Sequence, residues 1–457
     1  MTAMRQRLRP VPWLLVAPLL AACAGARPTP ARAPMSPAEF FTRAVATIQR
    51  QHVEPVSATQ LADRALRELE SVPPAGAIRV LVRDNEAVLT HGESGSAAAT
   101  VTVAWPADAT AADVGRALTE AGRFVIGRLG TNPESVADTL LRGLARVDVN
   151  GAYLPADLGD ATAGVGLEIR MRDGALVVLS PIEGGPAERA GLRAGDRILV
   201  IDGVSGAALQ NTDAGRLLRG AAGSRAALLV ARREWDQPRE IVLIRERIRV
   251  PTLQRKMFGG VGYVRISSLG EQTARQLGSA VDVLRAEGAT ALVLDLRNSP
   301  GGLLTAAVEV SELFLPEGRL VTSTVGRSPA QNVRLRTRAS AQGRWPILDL
   351  PLAVLVNDGT AAGSEIVASA LQDWGRATIV GTRTAGHTRI MSIFPLANGG
   401  ALKLTTSRWL TSKDRSVDEG LEPDIDLTGD AGAESVARDP DRDGSLRRVI
   451  ELLARRG

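Results

Sequence analysis

Cysteine occurs once, at Cys23, which excludes a disulfide framework and a cysteine-based zinc site. Lysine is nearly as scarce: of 55 cationic side chains only Lys256, Lys403 and Lys413 are lysines, and the rest are arginine. Arginine cannot serve as a general base, because its guanidinium is not deprotonated in a protein. A reaction that needs a neutral amine therefore has three positions available. Aromatic residues make up 3% of the chain and net charge is +5, without the clustered cations and stacking rings that nucleic-acid binding uses, so no nucleic-acid partner is expected. Histidine occurs at His52, His91 and His387. The first two lack partners at ligand spacing and read as surface or packing residues; no metal and no cofactor is expected. Beyond the first twenty residues no apolar run approaches the eighteen needed to cross a bilayer. What the chain does have is 457 residues with 44% hydrophobic content, too apolar for disorder and long enough for two to four domains.

Arg5, Arg7 and Arg9 precede the apolar run Val11 to Leu20, the positive and hydrophobic regions of a secretory signal. Leu20-Ala21-Ala22-Cys23 resembles the lipobox of bacterial lipoproteins, which implies a signal peptide at residues 1–22 and a lipidated Cys23. Such an anchor tethers a soluble body to a membrane, here on the periplasmic side of a bacterial envelope. Removing this leader takes three arginines and no acid, leaving a net charge of +2. Residues 23–35, rich in Ala, Pro and Arg, read as a tether.

Residues 36–71 predict a helical hairpin. Ser36-Pro37-Ala38-Glu39 is a capping box, followed by Phe40, Ala44, Val45 and Ile48 on one face, and Ser57-Ala58-Thr59-Gln60 opens a second helix. Residues 72–135 change to strand-like runs, Ile78 to Val82 and Thr100 to Trp105, and then a helix from Ala112 to Leu129. This stretch reads as an insertion of no assignable chemistry, and residues 136–159 as a connection.

Residues 160–247 read as a small β-rich module. Gly164-Val165-Gly166-Leu167 opens a strand, an Asp173-Gly174 turn follows, and Gly185-Pro186-Ala187-Glu188 through Ala194-Gly195-Asp196-Arg197 leads into Ile198 to Ile201. These residues look like a PDZ domain of bacterial proteases. By that resemblance the amides of Gly164, Val165, Gly166 and Leu167 would bind a polypeptide's terminal carboxylate, and the adjoining strand would take the peptide as an added strand.

Residues 248–428 alternate strands (Gly262 to Ser267, Ala291 to Leu296, Leu352 to Val356, Thr378 to Val380) with helices (Thr273 to Ala286, Leu303 to Phe314, Ala361 to Asp373), predicting an α/β core with parallel strands and crossover helices. The fold class is thus multidomain α+β, closed by a C-terminal helix within 429–457. Asp439, Asp441, Asp443 and Gly444 mimic the start of a calcium loop, but Ile450 stands where the glutamate belongs, so they read as a solvated cap for the helix Leu446 to Ala454.

Three motifs carry a further resemblance: Asp295-Leu296-Arg297-Asn298-Ser299-Pro300-Gly301-Gly302, Asn357-Asp358-Gly359-Thr360-Ala361 running into Ser364-Glu365, and Leu402-Lys403-Leu404-Thr405 through Gly420-Leu421-Glu422-Pro423-Asp424. With the PDZ module and the hairpin they resemble the C-terminal processing (tail-specific) serine peptidases. The resemblance implies a nucleophilic serine at position 362, a lysine base twenty-five residues on and a supporting glutamine four residues beyond. This chain has Ala362, His387 and Met391 there. It also implies oxyanion donors near Gly301, Gly302 and at Gly363, which are retained. Ser364 and Thr360 are the candidate substitute nucleophiles, with His387 as their base. Ser364 lies about 200° around the helix from Ala362, and Thr360 is placed as the helix cap.

Three readings follow. One is a lipid-anchored protein that binds polypeptide C-termini without serine–lysine catalysis, alone or beside an active peptidase or an envelope assembly. Another is an active serine endopeptidase using Ser364 or Thr360 with His387. The third is a structural lipoprotein scaffold.

Overall fold

In the computed structural model, residues 35–92, 98–148, 151–156, 163–172, 175–182, 184–193, 195–206, 214–215, 217–247, 252–339, 347–429 and 443–454 are described. Cys23, the leader at 1–22, the Asp173-Gly174 turn, and Asp439 and Asp441 lie outside them. The fold below is that of the unit Pro37–Gly457.

The hairpin forms as α1 (Pro37–Gln51) and α2 (Ala58–Glu68), the latter opened by a reciprocal capping box in which Ser57 and Gln60 satisfy each other's backbone amides. It does not end there. An antiparallel three-stranded sheet (Ile78–Arg83, Glu86–His91, Ala99–Ala104), α3 (Ala111–Leu129) and α4 (Pro133–Ala145) share its core. Phe41, Ile48, Leu61, Leu69, Leu89, Leu118, Leu140 and Leu144 belong to one buried cluster. The stretch 72–135, read from sequence as an insertion, is therefore part of the hairpin's own domain, because each helix needs the others to cover its apolar stripe. The cluster also takes in Leu402 and Leu404 of the strand Ala401–Leu410.

The N-terminal domain is fixed at the end of α1. The Val53 amide donates to Thr405 O at 2.8 Å and Gln331 Nε2 donates to Gln51 O at 3.0 Å. Between them His52 is fully buried, so it is not a surface residue. Its Nε2 lies 2.9 Å from Asp148 Oδ2 and its Nδ1 2.9 Å from Glu54 O. The hydrogen bond to Asp148 raises the imidazole above its ordinary range, opposed by burial. Its folded-state value thus exceeds the unfolded one of about 6.5, so the stabilisation is complete below that pH and is lost as pH rises through the folded value. His52→Gln is expected to cost about 1.5–3 kcal/mol at pH 6 and distinctly less at pH 9, read by denaturant unfolding at both. An equal cost at the two pH values would remove the charged pair from the account.

The second domain is a sheet in the order Arg239–Ile244, Arg225–Ala231, Arg197–Ile201, Ala175–Pro181, Leu167–Arg172, with the single-turn α5 (Pro186–Arg189) against it. Its core is Val165, Leu176, Val178, Ile198, Ile201, Leu228 and Val230 among others. Leu167–Arg172 pairs only with Ala175–Pro181 among the described residues and is an edge strand.

The α/β domain holds a six-stranded sheet in the order Leu253–Phe258, Val261–Ile266, Ala291–Asp295, Leu352–Val356, Thr378–Gly381, Ile425–Asp426, parallel from the second strand onward. Ala291–Asp295 and Leu352–Val356 are buried at every position, as strands covered on both faces must be. Leu292, Leu294, Val354 and Val356 join the cluster that holds α6 (Thr273–Ala286), α7 (Leu304–Glu312) and α8 (Gly363–Asp373). Val293, Ala353 and Leu355 face the other way, onto Leu446, Val449 and Leu453 of α9 (Gly444–Ala454). A second sheet, Arg334–Arg336, Leu320–Gly326, Ala401–Leu410, Arg389–Pro395, joins this body to the N-terminal domain through Ala152–Leu154.

Candidate active site

The parallel strands place their following loops on one side, where Leu296–Leu303, Asn357–Ala362 and Thr384–Thr388 meet. The first two loops are stitched by amide side chains: Asn357 Oδ1 accepts from Asn298 N at 2.8 Å, and Asn357 Nδ2 donates to Asn298 Oδ1 at 3.0 Å. Thr360 is fully buried within the turn, donating to Leu296 O at 2.8 Å and accepting from Asn357 N at 3.0 Å. Its hydroxyl therefore braces a loop. It does not cap α8, as the sequence suggested, because the helix begins three residues later at Gly363.

The residue at the cap is Ala362, with φ 46° and ψ −114°, a conformation costly for any residue with a Cβ. Its amide donates to Glu365 Oε2 at 2.8 Å, and the amide of His387 donates to the same oxygen at 2.9 Å. Glu365 Oε1 takes Gly386 N at 2.7 Å and the Thr384 hydroxyl. One buried carboxylate thus draws positions 362 and 387 together through their backbones. Glu365 stands within the second sequence motif with no evident role, because its signal, a Glu three residues after a helix cap, is hidden where the cap is alanine.

The side chains are not brought into a catalytic arrangement. Ser364 is fully buried and donates to Ser299 Oγ at 2.8 Å. His387 is exposed; its carbonyl accepts from Trp409 Nε1 at 3.0 Å, while its imidazole has no hydrogen-bond partner among the described residues. Met391 is 37% exposed on the strand Arg389–Pro395. Neither Ser364 nor Thr360 is hydrogen-bonded to His387.

The loop Leu296–Leu303 is held against the Ala362 turn. Ser299 O accepts from Ala361 N at 2.9 Å, Gly301 O from Leu269 N at 2.8 Å, and Leu303 N donates to Leu269 O at 2.9 Å. The amides of Gly302 and Gly363 donate to no acceptor among the described residues, and a Cβ at Gly363 would sit 3.4 Å from Gly302 N. Gly301 serves by having no side chain: at φ +85° a Cβ there would lie 2.5 Å from Gly363 N and close the space between the two donors. Two such amides beside a half-exposed Ala362 can stabilise a carbonyl oxygen or an oxyanion.

Beneath the loop lies a fully buried ion cluster. Arg297 donates bidentately to Asp295, at 3.0 Å through Nε and 2.6 Å through Nη2, and to Asp443, at 2.9 and 2.8 Å. Burial pushes the Asp295 carboxyl up, but the Arg297 guanidinium outweighs it and holds the group below the usual carboxylate range. Burial, and then the charge of Asp295, pushes the Tyr263 hydroxyl well up; that hydroxyl donates to Asp295 at 2.8 Å. Asp443 also accepts from Leu446 N at 2.9 Å, so it caps α9 from inside the protein and not as the solvated residue expected.

In the second domain the Gly164 amide donates to Glu246 O at 2.9 Å and is unavailable to a ligand, which corrects one of the four expected donors. Gly166, at φ +76°, has an amide with no partner among the described residues, beside the open edge of Leu167–Arg172. Val165 O accepts from Ala187 N at 2.9 Å and Gly166 O from Ile182 N at 2.9 Å, which fixes the loop's shape.

Residues 260–427 match the family model of peptidase family S41, and residues 177–232 that of the PDZ domain. A carboxy-terminal-processing protease of Bartonella bacilliformis is 38% identical over 297 residues, covering 62% of this chain and 67% of the relative. A carboxyl-terminal-processing protease of a Synechocystis species is 36% identical over 270 residues, 57% of this chain and 62% of the relative. The chain thus spans about two thirds or less of the lengths of these relatives. The solved photosystem II D1 C-terminal processing protease has the same fold, with a TM-score of 0.55 at 24% identity, covering 90% of this chain and all of that one.

Proposed function

This chain belongs to the carboxy-terminal-processing proteases of peptidase family S41, and from that premise we propose that it engages polypeptide C-termini without the family's serine–lysine hydrolysis. The observation that carries the reading is Ala362: the strained turn, the paired amides of Gly302 and Gly363 and the Glu365 clamp surround a side chain that has no nucleophile. Ser364 and Thr360 do not replace it, because both are fully buried and hydrogen-bonded away from His387. Without a nucleophile an oxyanion site retains only a small part of a peptidase's rate.

Binding begins at the PDZ domain. A terminal carboxylate docks at the Val165–Leu167 loop, where the Gly166 amide is unengaged, and the preceding residues extend the sheet along Leu167–Arg172. The chain acts from the membrane surface through a lipid on Cys23, presenting or sequestering tails for a partner that cleaves them or assembles with them. Lipidation is checked by mass spectrometry of the membrane fraction, where Cys23→Ser is expected to release the protein.

The test uses the chain from residue 24 onward with an unfolded polypeptide. No cleavage is expected, and Ser364→Ala and His387→Ala are expected to change nothing. Cleavage that either substitution abolishes would establish the active-enzyme reading instead. Peptides with free C-termini are expected to bind at least tenfold more tightly than their amidated forms, read by fluorescence anisotropy. Equal affinities would remove carboxylate recognition and favour a scaffold.

A further inference from the structure

We infer that Asp443, at the head of the C-terminal helix α9, is a positioning residue for the paired amides of Gly302 and Gly363, acting through Arg297. The inference rests on the reading of those amides as the family's oxyanion donors.

Arg297 opens the loop that ends in Gly301-Gly302, and its backbone is committed by its own side chain. The Arg297 amide donates to Asp295 Oδ1 at 3.0 Å while the guanidinium reaches the same carboxylate. Asp295 alone holds one edge of that guanidinium; the other edge is held by Asp443, which comes from 146 residues further along the chain. Both acids and the arginine are at most 1% exposed. A buried fork bound on two edges has one orientation, and the residue that follows inherits it. That residue is Asn298, at φ 55°, whose amide must meet Asn357 Oδ1. From there the chain runs through Ser299, gripped by Ser364 and Ala361 N, to Gly301 and Gly302 on Leu269. Arg265, also buried, acts on Asp295 as a second cation, and Asp443 brings a second carboxylate to the cluster.

Asp443 has two separable jobs. It caps α9 through Leu446 N, and it binds Arg297. Asp443→Ser keeps a capping oxygen and removes the carboxylate from Arg297. Leu453→Ala weakens α9 against the sheet without touching Arg297. Amide hydrogen exchange of the full chain separates the two jobs, and it does so whether or not the amide pair binds any ligand, so it fails or succeeds independently of the proposed function.

In Asp443→Ser the amides of Leu303, Leu269 and Ala361, which report the loop's three attachments, are expected to exchange at least tenfold faster. The Leu292 amide, in the centre of the sheet, should change less than twofold. Leu453→Ala should raise exchange within α9 and leave the loop near its original rate. Should the serine variant not fold, Asp443→Asn, which retains an acceptor oxygen, is expected to show the same pattern at about threefold. Unchanged exchange at Leu303 and Leu269, or the same loop response to Leu453→Ala as to the Asp443 variants, would reduce Asp443 to an anchor for its helix and overturn the inference.

Discussion

The double variant Ala362→Ser/His387→Lys is expected to hydrolyse unfolded polypeptide at least roughly 10³-fold faster than the native chain, with either single variant near background. The non-additivity is the diagnostic part. A hydroxyl at 362 lacks the longer lysine amine that the family uses as its base when histidine remains at 387, and an amine at 387 has nothing to deprotonate while alanine remains at 362. The backbone is prepared for the pair: Ala362 N and His387 N share Glu365 Oε2, and Gly302 N and Gly363 N stand free beside position 362. Position 387 is exposed, so the new amine should stay solvated and the rate should climb as pH rises toward the ordinary lysine range, unlike that of a desolvated lysine base. The check is cleavage of a denatured reporter followed from pH 6 to 10. A double variant no faster than its singles would mean that the loops of this chain have lost the productive geometry as well as the side chains.

What could be read in the sequence divides along physical lines. The strands Ala291–Asp295 and Leu352–Val356 were legible because burial on both faces demands continuous apolar runs. Leu320–Gly326 was not, because Thr322, Ser323 and Thr324 are buried there as hydroxyls that bond Leu410 O, Asp414 and Gln331 O, and a polar buried strand leaves no hydropathy signal. Substitution at 362 and 387 was visible by position alone. The role of Glu365 was not, since its partners are three backbone amides and the Thr384 hydroxyl, supplied by turns that sequence does not orient. Residues 72–135 looked like an insertion because nothing local reveals that α3 shares a buried cluster with α1. Asp443 looked solvated because its partner lies at Arg297, beyond the reach of any spacing rule.

That buried partnership makes the Arg297→Met variant the most consequential single substitution for stability. Removing the cation leaves Asp295 and Asp443 fully buried beside one another, with Arg265 as partial compensation, and breaking a buried pair of this kind costs about 3–5 kcal/mol. The dependence on pH should also change sign. In the native protein Asp295 is held below its unfolded value of about 3.9, so its contribution is complete above that pH and is lost as pH falls through the depressed folded value. Without Arg297, burial dominates and raises the carboxyl above its unfolded value, so the variant is penalised most at neutral pH and relieved as the acid takes up its proton. Urea unfolding at pH 7.5 and pH 5 is expected to show the deficit of Arg297→Met relative to the native protein shrinking toward acid, the contribution of His52 being common to both. A loss below about 1 kcal/mol at pH 7.5, or parallel pH dependence in the two proteins, would mean that water reaches the cluster and that the loop above it is held by its backbone bonds alone.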